Sequence, residues 1–201
     1  MRNLKSALHI ARESFERCIP SVIALKAGVV TDPDGRMLVP FYGREYRVPV
    51  RQGEEVPVRV EILLLHYLTQ ASGVMPKGEK ISFKELPNGF IYNEPFTKRV
   101  TRPLVAAFGK QPELLQRAGV AIGGKPVPIG DASVEINALP RVPLTFIIWA
   151  GDEEFAPNGG VLFDATAPAY LSTEDCVVLA EIGVSMLRAQ SHGSRAKRHE
   201  S

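Results

Sequence analysis

The sequence predicts an α+β fold: a single domain with mostly antiparallel sheet, an N-terminal hairpin, a buried central helix and a C-terminal helix. Three observations carry this. Hairpin-like strand pairs and helical stretches come in blocks rather than in strict βαβ alternation. Seventeen glycines and sixteen prolines fall mostly between the periodic segments. A chain of 201 residues, 45% hydrophobic and 23% charged, fits one well-packed soluble domain and is too short for two ordinary ones.

In chain order, residues 2–18 repeat Leu4, Leu8, Ala11, Phe15 and Cys18 at three- and four-residue steps, the stripe of an amphipathic helix. AGVVTDPDGRMLVPFYG then places two short apolar runs around Asp32-Pro33-Asp34-Gly35, where Pro presets φ and Gly accepts φ > 0, as a hairpin turn requires. Glu45 to Val50 adds a third strand, with Pro49 at its edge or end. Val56 to Ser72 is apolar on most faces, starts with Pro57 and stops at Gly73. A helix apolar nearly all round is a buried one, so this is the central core helix. Residues 73–93 read as loop with short extended pieces. A helical region then runs from Asn93 or Glu94 to about Phe108, with a break or kink expected at Pro103. Pro112 to Val120 makes a short helix ended by Gly123-Gly124. Val127 to Ile136, Val142 to Trp149 and Val161 to Phe163 read as strands. Ser172-Thr-Glu-Asp175 is a capping-box signature that opens a final helix, Cys176 to Leu187.

Charge and targeting narrow the function classes. The net charge is +2, but residues 188–201 alone carry +3, which leaves the body at −1. The expected organisation is therefore a domain over 1–188 and a disordered basic tail over 189–201. A body without basic excess makes nucleic acid an unlikely partner. No stretch reaches the roughly 18 apolar residues of a membrane span, so no membrane partner is expected. Two cysteines 158 positions apart, with no export signal, predict a cytoplasmic protein. They also encode no cysteine cluster, so the chain specifies no cofactor by that route, and no metal site is expected.

Walker, dinucleotide-fingerprint, nucleophile-elbow and zinc-protease motifs are all absent from the sequence. Three constellations remain. Trp149 runs straight into Asp152, Glu153 and Glu154, and a neighbouring strand ends at Asp164; paired strands would let these acids gather to bind a cation or tune one pKa. The plainer reading is a solvated turn. His66 is the one histidine inside a core element, able to ligate a metal or tetrapyrrole or to move a proton, but more commonly a core group with one hydrogen bond. Lys84, Glu85 and Tyr92 precede Lys98, Arg99 and Arg102, which fall on adjacent helical positions and could hold phosphate or carboxylate. A merely solvated basic face is the alternative. Cys176 just past a helix start reads as a structural thiol.

Taken together, the blocks LLLHYL (63–68), ISFKELPNGFIY (81–92), PFTKRV (95–100), GDASVEINALPRVPL (130–144), IIWAGDEEF (147–155), LFDATA (162–167) and YLSTED (170–175) resemble an uncharacterised bacterial and archaeal family of unknown function. The resemblance covers roughly residues 20–188. It places His66, Glu85, Tyr92, Asp131, Trp149, Asp152, Glu153, Glu154 and Asp164 inside family blocks, without assigning any of them a catalytic role. In some members the domain stands beside a small cysteine-rich iron–sulphur domain of a type also seen near corrinoid proteins. The resemblance therefore implies an accessory or small-molecule-binding protein of anaerobic metabolism, with an iron–sulphur or corrinoid protein as partner; any cluster would belong to that partner. The alternative is an enzyme acting on a small anionic or polar substrate through the carboxylates and His66, with Arg99 or Arg102 as anion clamp. Nucleic-acid binding is the weaker third.

Overall fold

A computed structural model describes residues 2–196. Two antiparallel sheets and seven helices form one α+β unit. The amphipathic N-terminal stretch is helix α1 (Arg2–Glu16), and a second helix, α2 (Pro20–Ala27), follows at once. No periodic stripe in the sequence marks this second helix. Its eight residues are apolar on most sides, although Pro20 at its first turn and Gly28 at φ 68° after its last mark both ends.

The expected hairpin and third strand form the smaller sheet, β1 (Val30–Thr31), β2 (Met37–Phe41) and β3 (Arg44–Val48), with Val30 opposite Leu38 and Met37 opposite Val48. Helix α3 (Val58–Gln70) buries residues on nearly every side, from Val60 to Leu65 and on to Leu68. Its one buried acid, Glu61, is paired with Arg12 of α1.

The larger sheet has the order β4-β8-β7-β6-β5, from β4 (Lys80–Ser82), β5 (Lys125–Pro126), β6 (Ala132–Leu139), β7 (Val142–Trp149) and β8 (Asn158–Asp164). Strand β6 starts later and ends later than the predicted 127–136; Val127 to Asp131 form the turn between β5 and β6, in which the Ser133 hydroxyl donates to the Val127 carbonyl and accepts the Ile129 N–H. The rows Ala132–Ile148–Gly159, Val134–Phe146–Val161 and Ile136–Leu144–Phe163 form the inner face. On this face the core sits. Two glycines let helices close on it: a Cβ on Gly119 would stand 2.4 Å from a Val134 methyl carbon, and one on Gly183 2.6 Å from the Phe146 ring.

Three helices build that helical layer: α5 (Arg102–Phe108), α6 (Glu113–Val120) and α7 (Thr173–Ala196). The predicted 93–108 helix is continuous in outline. It begins as the short α4 (Asn93–Phe96), widens into a π turn over Thr97–Thr101 and resumes as α5. Pro103 explains the widening. Its ring would collide with the carbonyl four residues back in a regular helix, and the wider turn removes the collision without a break. At the other end of the chain, α7 runs nine residues past Leu187. The predicted end at Leu187 is therefore too early: the buried face continues through Val184 and Leu187 to Ser191, a buried polar residue that donates its hydroxyl to the Arg188 carbonyl. Residues 197–201 of the expected tail lie outside the described residues. No helix among the described residues is long and apolar enough to cross a membrane.

Candidate functional site

The sequence-predicted acids do not meet. Strands β7 and β8 do pair, and the pairing itself separates them: Trp149 faces Asn158, whereas Asp164 lies six residues along β8, about 20 Å away at 3.3 Å per residue. In the β7–β8 loop, Asp152 accepts the N–H groups of Glu154 and Phe155, which hold its carboxyl below its ordinary pKa. This is a self-bonded turn, with Glu153 and Glu154 exposed. Asp164 is 3% exposed. It accepts the N–H groups of Lys77, Gly78 and Thr166 and the Thr166 hydroxyl, which together outweigh burial and keep it ionised. It fastens the loop before β4. Trp149 lies on the sheet's outer side against Gly130, and Tyr92 stands half-exposed beside Phe90 and Ile91. Glu85 closes a capping box with Ser82.

His66 does meet an acid. Its Nδ1 lies 2.9 Å from Asp175 Oδ1, in the first turn of α7, and the other oxygen of Asp175 accepts the Ser172 hydroxyl at 2.6 Å and its N–H at 3.3 Å. The Asp175 bond raises the His66 pKa against the opposing effect of burial. Burial opposes ionisation of Asp175, but the bonds from His66 and Ser172 prevail and its pKa is lowered. The predicted capping box is thus extended by a histidine from α3. Below it along α7, Glu181 accepts two bonds from the Arg59 guanidinium and two from Arg99, at 2.7 to 3.2 Å, and Arg99 also donates to Glu174. Burial opposes the Arg99 charge, yet the bonds to Glu174 and Glu181 raise its pKa. This seam between α3, the π turn and α7 is fully paired.

Arg102 behaves differently from Arg99. Arg99 sits inside the π turn and Arg102 just past it, at the start of α5, and the two guanidiniums leave the helix in different directions. Arg102 and Lys98, four residues apart, line a cavity of about 570 Å³ between α5, α6 and the last turns of α7, together with Lys110 and Arg188. Pro103, Ala106, Ala107 and Leu114 supply its apolar floor, and no carboxylate lines it among the described residues. None of the four cations is engaged in an ion pair with a described residue. Ser191 completes the wall from α7. Four unpaired cations around one concavity raise the local anion concentration, and their flexible N–H groups suit phosphate or carboxylate oxygens.

Sequence reasoning reached Lys98 and Arg102 and missed Lys110 and Arg188. Lys110 follows a helix end and Arg188 is the last residue of the expected domain, past the predicted end of its final helix; neither position carries a local signal, because only the packing of α7 on α6 brings them to the groove. Among the described residues, no three His, Cys, Asp or Glu side chains converge as a metal site would require.

No curated protein and no solved structure matches the chain. A family model does, over residues 20–186, which span the sheets, the seam and all of the groove except Arg188 and Ser191; the chain belongs to the family described as Domain of unknown function (DUF3786).

Proposed function

We propose that the protein is a binding protein for a small multiply charged anion, held in the groove between α5, α6 and α7. One observation carries this reading: Lys98, Arg102, Lys110 and Arg188 converge on a cavity of about 570 Å³ with no acid in its lining among the described residues. Such a cavity is the size of a small-molecule site. Its apolar floor suits a ligand that joins a phosphoryl or carboxyl group to an uncharged body. The role is that of a carrier or accessory protein. The iron–sulphur or corrinoid protein partner implied by the family resemblance is proposed as the recipient, to be sought by co-purification from the native host.

Calorimetric titration with inorganic pyrophosphate tests the groove. Saturable one-site binding that weakens with added salt supports the reading. Absence of heat at millimolar pyrophosphate, or binding that survives Arg102→Glu together with Arg188→Glu, would overturn it.

A further inference from the structure

A second cavity lies on the opposite flank, where α1, α2 and α3 meet the chain after β3. It measures about 320 Å³, and Phe15, Ile23, Val50 and Leu65 give it apolar walls. Three charged side chains also line it: Arg12, Glu16 and Glu61. Glu61 is the informative one. Its side chain is 6% exposed, so ionising it is costly unless its oxygens are satisfied.

The other strongly buried carboxylates use both oxygens. Asp164 accepts bonds on Oδ1 from Lys77, Thr166 N–H and the Thr166 hydroxyl, and on Oδ2 from Gly78. Asp175 accepts His66 on one oxygen and Ser172 on the other. Glu61 differs. Both Arg12 contacts, Nε at 2.8 Å and Nη2 at 2.7 Å, fall on the same atom, Oε1. Oε2 has no partner among the described residues, and an ionised carboxylate presents acceptor sites on both oxygens. The carboxylate is thus buried except at Oε2, which takes no bond from a described residue and stays accessible at the cavity it lines. Two acids against one guanidinium also leave it one negative charge in excess.

We infer that this cavity binds a small organic amine, with the ammonium group donating to Glu61 Oε2 and an apolar body packed against Phe15, Ile23 and Leu65. A volume at the lower end of the small-molecule range fits a single ring with a short arm. The site is independent of the anion groove. Its outer wall comes from α1, which precedes the first residue of the family match at 20, whereas Ile23, Val50, Glu61 and Leu65 lie within the match.

Cys18 supplies the readout. It lines the cavity half-buried, whereas Cys176 is buried in the core and silent in the native protein. Iodoacetamide alkylation of Cys18, followed by mass spectrometry, is measured with phenethylamine as probe, phenylacetate as the anionic match and ethylamine as the match without a ring. Phenethylamine is expected to slow alkylation at least fivefold and saturably, with phenylacetate and ethylamine each changing it less than twofold. Glu61→Gln should remove the protection. Because that change also strips Arg12 of its partner and endangers the fold, Ile23→Trp fills the cavity with the ion pair intact and should remove the protection equally. Equal protection by phenylacetate, none by phenethylamine in the wild type, or protection that persists in Ile23→Trp would overturn the assignment. Pyrophosphate should leave Cys18 alkylation unchanged, which keeps this test separate from that of the groove.

Discussion

Arg99 and Arg102 stand three residues apart and meet opposite fates. Arg99 turns to the seam, where Glu174 and Glu181 absorb its charge and Glu181 is shared with Arg59. Arg102 turns to the groove, where every charged residue of the lining is another cation among the described residues. Helix α7 borders both regions, with acids at 174, 175 and 181 and Arg188 further along. The difference teaches how to separate structural charge from functional charge. A cation that the fold needs is paired by the fold; a cation held unpaired beside three others raises the energy of the free protein, and an anion relieves it.

The comparison is broken most strongly by reversing charge in the groove. Arg102→Glu with Arg188→Glu should weaken pyrophosphate binding at least about 100-fold, roughly 2.7 kcal/mol, by calorimetry. Arg99→Gln should change it less than threefold, because that side chain belongs to the seam.

Stability should answer in the opposite sense. Glu181→Gln leaves Arg59 and Arg99 without their shared carboxylate and should cost about 1–2 kcal/mol in urea denaturation, reduced from a fully buried pair because the side chains are partly exposed. A smaller effect belongs to His66. Its folded pKa is raised by Asp175, so its contribution is fully present below the unfolded value near 6.5 and fades as pH rises through the folded pKa. Asp175 is shifted down, so its contribution holds above about pH 4 and is lost as pH falls through its folded pKa. Between these limits the pair should contribute on the order of 1 kcal/mol. His66→Gln should accordingly flatten the decline in stability as pH rises above about 6.5. The smallest effect sharpens the contrast: Arg102→Gln should leave stability unchanged or raise it by up to about 0.5 kcal/mol at low salt, through relief of repulsion with the other groove cations, and the gain should vanish as salt is added.

Much of the fold was legible because its elements announce themselves locally. The Asp32-to-Gly35 turn, the Val142–Trp149 strand and the capping box at Ser172 each depend on residues within one turn or one strand of one another. Helix α2 escaped because eight residues apolar on most sides show no period. The last turns of α7 escaped because Arg195, Gly193 and two serines read as tail, whereas the continuing stripe to Ser191 is recognised only once α7 packs. The site was half legible. Spacing joined Lys98, Arg99 and Arg102, but an assumed regular helix gave no reason to split them, and the π turn at Thr97–Thr101 does. His66 was singled out, yet its partner lies 109 residues away. The acids at 152–154 and Asp164 were grouped by chemistry, and the antiparallel register keeps them apart.

The central claim is that the groove's cations are available to a ligand and the seam's are not. Nitrogen-detected NMR of the arginine Nε–H groups during a pyrophosphate titration tests it directly. The account predicts saturable shifts at Arg102 and Arg188 with Arg59 and Arg99 unmoved. Shifts of equal size at Arg59 and Arg99, or none at Arg102 and Arg188, would contradict it.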